Sequence, residues 1–457
     1  MILTKRKNKD IILKASKQES VMKKLKAAVV GCGNRGCVYA DYALVAPNEL
    51  EIVAVVDVNE LAVADAKKRY SIPEDRAFLT LDGFLAAKID CDFVVNATMD
   101  EMHYETAIKI IAAGYDMLLE KPVTAKLEEL LHIQRLAKEK NVKVNVCHVL
   151  RYTPYFKAIK TIINQGKLGR IYTIQMDEHV WKYHFLDSYV RGKWKSEALC
   201  GSGFLLAKSC HDTDLLCWLN NDAKPKRVTS IGSRSQFIKE NAPEGATEYC
   251  YNCPHNETCF YSAQKTHLEY DGMPFQTWAH LSKKLNKPWQ ELTKEEKEED
   301  LKTSEYGLCA YNSGGDITDR QSLIVEYENG AIATFTMVGD SCFSARHLHI
   351  IGEKGEIQGE ICSNCFTVSL FDRTGTTYRA HKETVDVTKD VVVSDDYGGH
   401  AGGDYAIMYE LVRYLNGDTS SCSITNIDDS INGHLVVYAA EESRKQGRAV
   451  TLEELIK

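Results

Sequence analysis

The sequence predicts two domains, an α/β domain with a doubly wound parallel sheet followed by an α+β domain with a large open, mainly antiparallel sheet. Three observations support this fold class. A glycine-rich turn joins an apolar run to a helical pattern near residue 30, strands and helices then alternate to about residue 149, and alternating apolar residues return after residue 320. The length of 457 residues suits two or three domains at roughly 150 residues each.

The composition excludes several classes of protein. Hydrophobic residues make up 44% and charged residues 26% of the chain, as in globular proteins rather than disordered or membrane-spanning ones. The net charge of −8 offers no overall attraction to phosphate backbones, so we expect neither nucleic acid nor a membrane as a partner. The 15 cysteines without a secretory signal indicate free thiols in a reducing compartment, which predicts a cytoplasmic protein.

The glycine-rich turn has the spacing of a dinucleotide-binding fingerprint. Gly31, Gly33 and Gly36 lie between a short strand and a helix, and a second buried strand ends at Asp57, 21 residues beyond Gly36. The first glycine permits the tight turn, the second lets the backbone approach a pyrophosphate, and the third lets the helix pack close to the strand. Asp57 would accept hydrogen bonds from both hydroxyls of the adenosine ribose and would repel a 2′-phosphate. These residues predict a Rossmann-like domain that binds NAD rather than NADP.

Other polar side chains follow the later strands of this domain. Ligands of doubly wound sheets bind at the carboxyl ends of the strands, where Thr98, Glu120 and His148 are expected. The complete set predicted to contact the cofactor is Gly31, Gly33, Asn34, Arg35, Gly36, Asp57, Thr98, His103, Glu120, Lys121 and His148.

The strand at residues 117–119 ends in Glu120-Lys121-Pro122. Together with the glycine fingerprint and Asp57, this motif resembles the glucose-fructose oxidoreductase, inositol dehydrogenase and rhizopine-catabolism (Gfo/Idh/MocA) family. The similarity continues through residues 147–154, 168–171 and 201–214, and only residues 241–307 match more loosely. The resemblance implies a cis Lys121–Pro122 peptide and a homo-oligomer that pairs through the open sheet.

The predicted elements divide the chain into three parts. Residues 1–22 form a basic N-terminal extension, and residues 23–149 form the NAD-binding domain. Residues 150–457 form an α+β domain for substrate binding and oligomerisation, with an insertion at about 235–315. An Asn-Gly turn at 329–330 between two alternating segments predicts a hairpin in the second sheet.

Two residues are predicted to carry the chemistry. Oxidation of a secondary alcohol by NAD moves a hydride to the nicotinamide while another group accepts the hydroxyl proton. Lys121 suits that position, because a nearby cationic nicotinamide and partial burial would lower its pKa. His211 suits general acid/base catalysis, because the pKa of imidazole lies near neutrality. The family's sugar and polyol dehydrogenases carry an Asp four residues before this His, but Ala207 occupies that position here.

Substrate contacts are predicted around these two residues. Aromatic and hydrogen-bonding side chains between them suit the faces and hydroxyl edges of a sugar ring, although interface packing would also explain them. Lys208 either binds a substrate hydroxyl or carboxylate or extends into solvent, and His400 lies at the cleft or in a surface loop. The predicted substrate set is Arg151, Tyr152, His184, Arg191, Lys208 and His400.

A cysteine cluster interrupts the second domain. Cys250 and Cys253 have C-x-x-C spacing, Cys259 follows closely, and Cys309 comes after a charged stretch. Four thiols can bind one tetrahedral zinc ion, so a structural zinc site is one interpretation. Packed thiols or a local redox pair are the alternatives.

The predicted function is an NAD-dependent oxidoreductase that takes hydride from a secondary hydroxyl of a sugar, polyol or glycoside, with a small carbohydrate as its substrate. One alternative is redox-neutral, NAD-dependent glycoside hydrolysis, in which oxidation, elimination, hydration and re-reduction follow one another. Another is a non-catalytic NAD-sensing regulator. The presence of both Lys121 and His211 argues for an enzyme.

Overall fold

A computed structural model describes residues 22–270, 275–371, 380–388 and 399–457. The predicted basic extension at residues 1–22 lies outside this range except for Met22. None of the helices in these described segments is both long and apolar enough to cross a lipid bilayer.

The N-terminal domain is a six-stranded parallel sheet in the order β3-β2-β1-β4-β5-β6. Its strands are β1 (Leu25–Val30), β2 (Leu50–Val56), β3 (Ala77–Phe78), β4 (Phe93–Asn96), β5 (Asp116–Leu119) and β6 (Val144–Val146). Its helices are α1 (Asn34–Ala40), α2 (Tyr42–Val45), α3 (Glu60–Tyr70), α4 (Leu81–Ala87), α5 (His103–Ala112) and α6 (Leu127–Lys140). The central strands are buried on both faces, as parallel sheets covered by helices require.

The second domain contains a nine-stranded sheet, counted over the described residues, in the order β14-β13-β12-β11-β7-β10-β9-β8-β15. Only β7 and β10 pair in parallel, and every other neighbouring pair is antiparallel. The strands are β7 (Ile171–Trp181), β8 (Pro225–Ser233), β9 (Arg320–Tyr327), β10 (Ile332–Ser341), β11 (Ala345–Gly352), β12 (Gly355–Glu360), β13 (Cys365–Phe371), β14 (Ala380–Asp386) and β15 (Val450–Thr451). The predicted fold class is confirmed.

Helices cover one face of this sheet, and the described strands alternate buried with more exposed residues. The helices that follow the N-terminal domain in the chain, not all of which lie on this sheet, are α7 (Pro154–Asn164), α8 (Lys182–Phe185), α9 (Glu197–Cys200), α10 (Phe204–Ala207), α11 (Cys210–Leu219), α12 (Phe275–Leu285), α13 (Lys294–Asp300), α14 (Gly403–Leu415), α15 (Ile427–Gln446) and α16 (Leu452–Ile456). The segment predicted as an insertion contains α12 and α13 and has a small core of its own around Trp278 and Leu301. Among the described residues, the side chains on the opposite face of the sheet are the more exposed ones.

Candidate functional site

The glycine turn leaves its backbone accessible where β1 meets α1. Gly31 has φ +90°, and a Cβ there would lie 2.3 Å from the carbonyl oxygen of Ala97, so only glycine fits. A Cβ on Gly36 would lie 2.0 Å from the carbonyl oxygen of Gly31, which explains the close contact of helix and turn. At Gly33 a Cβ would meet nothing within 4 Å. The turn therefore has open space at the glycine that a pyrophosphate must approach, and these residues fit a dinucleotide.

Asp57 is oriented at the end of β2 by two backbone groups. One carboxylate oxygen accepts a hydrogen bond from Cys32 N–H at 2.8 Å, and the other accepts one from Asn59 N–H at 2.8 Å. Each carboxylate oxygen has further acceptor capacity. The side chain is therefore held beside the glycine turn in a position suited to ribose hydroxyls.

Arg35 has a role that the sequence prediction lacked. Its guanidinium donates to Glu120 at 2.9 Å and to both carboxylate oxygens of Asp404 at 3.1 and 2.8 Å, and it also contacts the hydroxyl of Tyr39. Burial opposes the charge on Asp404, but hydrogen bonds from His400 and Arg35 outweigh it and lower the pKa of Asp404. Arg35 thus bridges the two domains through carboxylates, and the sequence carried no signal for Asp404 or Tyr39 as its partners.

His103 was predicted to contact the cofactor, and the structure corrects this. The imidazole is buried, with Nδ1 2.6 Å from the carbonyl oxygen of Pro122 and Nε2 3.1 Å from that of Thr98. It therefore positions two loops at the strand ends instead of facing the cofactor side. The hydroxyl of Thr98 donates to the Asn96 side chain at 3.1 Å. The Lys121–Pro122 peptide is cis, as the family resemblance implied.

Lys121 reaches from the end of β5 to the second domain. Its Nζ donates to the carbonyl oxygen of Ala207 at 3.0 Å, and its backbone N–H donates to Glu120 at 2.8 Å. Burial opposes the ammonium, but Cys210, Glu120 and Asp100 outweigh it, and the pKa of Lys121 is raised above its ordinary value. The predicted lowering of this pKa concerned the complex with a cationic nicotinamide and stays a prediction. Lys121 is a charged hydrogen-bond donor.

His211 lies in the first turn of α11 and is 7% exposed. Burial, followed by the charges of Lys121, His148 and His400, lowers its pKa well below 6.5. The near-neutral pKa assumed from its residue type is thus wrong, and the imidazole is uncharged at neutral pH. Within the described segments, no group hydrogen-bonds to its Nδ1. The lone pair of an uncharged imidazole can accept a proton, and burial makes this imidazole a weaker base than a free one.

His148 lies behind His211 and not on the accessible surface, which corrects its predicted cofactor contact. Its side chain is fully buried, and its ring centroid lies 5.7 Å from that of His211 and 5.6 Å from that of His434. Burial, with the nearby Arg151, lowers its pKa well below 6.5. Neither of its ring nitrogens has a hydrogen-bond partner among the described residues.

Lys208 turns towards a buried carboxylate and not into bulk solvent. Its Nζ lies 3.6 Å from Glu178 on β7, and its side chain is 21% exposed. Glu178 also pairs with Arg346 and accepts from Ser209 at 2.7 Å, while Arg346 donates to Asp212 at 2.7 Å. Burial lowers the pKa of Lys208. Sequence reasoning missed Arg346 entirely, because nothing local shows that this strand residue faces α11.

His184 and His400 lie beside the residues just described, His184 near Lys208 and His400 near His211. Burial and the charge of Lys208 lower the pKa of His184 to about 3. The imidazole of His400 is 40% exposed, its Nδ1 lies 3.2 Å from Asp404, and its ring centroid lies 6.1 Å from that of His211. The structure therefore gathers five of the predicted residues at the domain junction: Lys121, His184, Lys208, His211 and His400.

The structure contradicts three predicted substrate contacts, because these side chains are buried and bonded mainly within the fold. Arg151 donates to Asp214 at 2.6 and 2.5 Å and also contacts Asp429. The hydroxyl of Tyr152 lies 3.2 Å from that of Thr425. Buried Arg191 donates to two carbonyl oxygens of the insertion, those of Leu308 at 2.8 Å and Tyr261 at 2.5 Å. These side chains stabilise the fold around the site.

The predicted zinc site is not supported. A metal site needs several His, Cys, Asp or Glu ligand atoms close together. Across the described parts of the chain, three such atoms lie within 4.8 Å of one another in a single cluster, and that cluster contains none of the four cysteines. The Cys250 thiol instead donates to the carbonyl oxygen of Leu308 at 3.7 Å. Cys253, Cys259 and Cys309 are free thiols, as sequence spacing alone could not reveal.

Comparisons with known proteins agree with this geometry. Residues 25–148 match the model of an oxidoreductase family with an NAD-binding Rossmann fold, and residues 160–452 match that family's C-terminal alpha/beta domain. The Bacillus subtilis (strain 168) protein YteT, described as an oxidoreductase, is 23% identical over 79% of this chain and 82% of its own. A 1,5-anhydro-D-fructose reductase of Ensifer adhaerens is 29% identical, over 34% of this chain and 45% of its own.

Solved structures show the same fold. Levoglucosan dehydrogenase, in complex with NADH and levoglucosan, has a TM-score of 0.65 at 17% identity and covers 94% of this chain and 100% of its own. The WlbA dehydrogenase of Bordetella pertussis, in complex with NADH and UDP-GlcNAcA, has a TM-score of 0.63 at 16% identity. The match covers 94% of this chain and 98% of that one. Because the two family models together span most of the sequence, this chain belongs to the Gfo/Idh/MocA oxidoreductase family.

Proposed function

We propose that this protein is an NAD-dependent dehydrogenase that oxidises a secondary hydroxyl of a sugar, polyol or glycoside. One observation carries the proposal. Lys121 crosses the domain junction to the carbonyl of Ala207, four residues before His211, so an ammonium and an uncharged imidazole converge beside the nucleotide domain. Relatives named as a 1,5-anhydro-D-fructose reductase and a D-xylose dehydrogenase support a carbohydrate substrate.

The glycine turn and Asp57 would hold the cofactor. Open space at Gly33 suits the pyrophosphate, and Asp57 suits the two hydroxyls of the adenosine ribose. A carboxylate in that position disfavours a 2′-phosphate, which supports NAD over NADP. When bound, NAD is the two-electron acceptor for the carbinol carbon.

The two side chains divide the handling of the hydroxyl group. The Lys121 ammonium donates a hydrogen bond to the substrate oxygen and stabilises the negative charge that develops there as the O–H bond breaks. His211 is uncharged and accepts the proton. Lys208 and His184, held beside Glu178, are positioned to contact other hydroxyls of the ring.

Two variants test these roles. We expect Lys121→Met and His211→Asn each to lower kcat by roughly 100-fold or more, because a positioned acid/base group contributes about that much. Binding of NADH, followed by its fluorescence, should remain close to wild type. Lys126→Met is a matched control, because Lys126 lies on the same loop with an exposed side chain. Wild-type turnover in either site variant would overturn the proposal.

The substrate is found by following NADH on a panel of sugars, polyols and glycosides. A second candidate is redox-neutral glycoside cleavage. His400 favours it, because this exposed imidazole near His211 is a second acid/base group that can protonate the departing aglycone. Release of aglycone without net NADH would identify that reaction. NAD binding with no turnover on the whole panel would instead favour an NAD-sensing role.

A further inference from the structure

The open face of the second sheet carries two histidines and an aspartate that no part of the proposed reaction uses. Asp177 and His179 are two residues apart on β7, so both side chains lie on the same face of the sheet. His347 on β11 pairs directly with Asp177 across the two strands. One ligand atom from each of the three side chains lies within 4.8 Å of the others.

Strand alternation separates this cluster from the site at the domain junction. Glu178 and Arg346, the neighbours of these residues in sequence, lie on the inner face and pair with each other there. The three side chains of the cluster are between one-third and one-half exposed. In the single chain, the same two strands thus carry a buried ion-pair network on one face and a partly exposed imidazole–carboxylate group on the other.

The distances are within about half an ångström of those in a metal coordination shell. Asp177 Oδ1 lies 2.8 Å from His347 Nδ1 and 3.5 Å from His179 Nε2. In a tetrahedral zinc site with bonds of about 2.0–2.1 Å, ligand atoms are about 3.3 Å apart. Small side-chain rotations would therefore bring the three atoms to coordinating distance. Ala345, the cross-strand partner of His179, has a small side chain.

The surroundings favour a cation. Glu360 on β12 pairs directly with His347, which adds a second carboxylate on the same side. A groove of about 620 Å³ runs over this face, and its lining includes Asp177, His347 and Glu360. Two imidazoles and one carboxylate, with a position left for water, are a donor set typical of zinc rather than of magnesium or calcium.

We propose that Asp177, His179 and His347 bind a divalent transition-metal ion, with zinc the best match, on the open face of the second sheet. The site is separate from the dehydrogenase chemistry, which needs no metal in the mechanism above. It also differs from the predicted cysteine site, because all three ligands are imidazole or carboxylate.

Titration with zinc tests the proposal on the full-length protein after treatment with EDTA and removal of the chelator. Calorimetry should show one zinc ion per chain, with no comparable binding of Mg²⁺. Asp177→Asn and His347→Ala should each weaken zinc binding by roughly tenfold or more, because loss of even a group that only orients a metal ligand costs about that much. His349→Ala is the control, because His349 lies on the same strand and face but pairs with Glu356.

Cobalt identifies the ligand type, since the chain also has free thiols. Bound Co²⁺ should give visible bands of a tetrahedral nitrogen–oxygen site without a thiolate charge-transfer band. The bands should disappear in the Asp177 and His347 variants and persist in the His349 variant. A thiolate band, an unchanged affinity in both site variants, or an equal loss in the control would each overturn the assignment.

Discussion

Arg35 and Asp404 are joined by two hydrogen bonds of 3.1 and 2.8 Å although 369 residues separate them in the chain. Arg35 lies in the first turn of α1, beside the glycine turn, and Asp404 lies in the first turn of α14. The same guanidinium donates to Glu120, the residue before Lys121. One side chain therefore connects the nucleotide turn, the strand end that carries Lys121, and a C-terminal helix.

We expect Arg35→Met to lower the free energy of unfolding by about 3–5 kcal/mol, because it removes the guanidinium that two buried carboxylates share. The side chains of Glu120 and Asp404 are only 6% and 2% exposed. Urea denaturation measures the loss. Arg69→Met is the control, because its partner Asp41 is partly solvated and such a pair contributes about 0–1 kcal/mol. Equal small losses in both variants would contradict the bridging role.

The buried histidines predict a loss of stability in mild acid. Burial lowers the pKa values of His148 and His211 well below 6.5 and that of His434 to about 3. Below pH 6.5 the unfolded chain binds protons at these imidazoles while the folded chain does not, so stability falls as pH falls. Each such group costs about 1.4 kcal/mol per pH unit in this window.

The variant His434→Gln isolates one of these groups. The slope of unfolding free energy against pH, measured between pH 6 and about 4.5, should decrease by about 1.4 kcal/mol per pH unit, which corresponds to one proton fewer taken up on unfolding. His381→Gln should leave the slope unchanged, because this side chain is exposed on β14. A wild-type slope in the His434 variant would show that its burial does not contribute to acid sensitivity.

Replacement of Asp57 should weaken NADH binding and relax the choice of cofactor. Loss of hydrogen bonds from a charged acceptor costs about 1.5–3 kcal/mol, so Asp57→Ser should raise the Kd for NADH by roughly tenfold to a hundredfold. The Kd for NADPH should fall at the same time, because the repulsion of a 2′-phosphate is removed. Fluorescence titration of both nucleotides measures this. Asp65→Ser, on the exposed face of α3, should change neither value.

The burial of Tyr152 separates a structural role from a substrate contact. Tyr152→Phe removes a hydroxyl that lies 3.2 Å from Thr425, so unfolding should become easier by about 1 kcal/mol. The KM for the substrate should not change. In contrast, His184→Ala should raise KM, because His184 lies beside Lys208 at the proposed site. A raised KM in Tyr152→Phe would restore the interpretation of Tyr152 as a substrate contact.

Local sequence patterns determined much of this protein. The glycine turn, the acid at the end of β2 and the position of Lys121 depend on residues within a few tens of positions of one another, and the structure has them at the carboxyl ends of the predicted strands. The alternation of strands and helices likewise predicted the fold class. These features depend on short-range geometry that strand and helix periodicity already expresses.

Only the tertiary structure decided which polar side chains face the domain junction and which are buried. Arg151 and Arg191 resemble substrate ligands in sequence, yet long-range carboxylates and carbonyls pair with them in the interior. Arg346 and Asp404 carried no sequence signal, yet they hold Glu178 and Arg35 in place. Desolvation and nearby charges determine the ion pairs and the pKa values of these side chains. Both depend on which groups are close in space, and the order of the strands rather than distance along the sequence determines that.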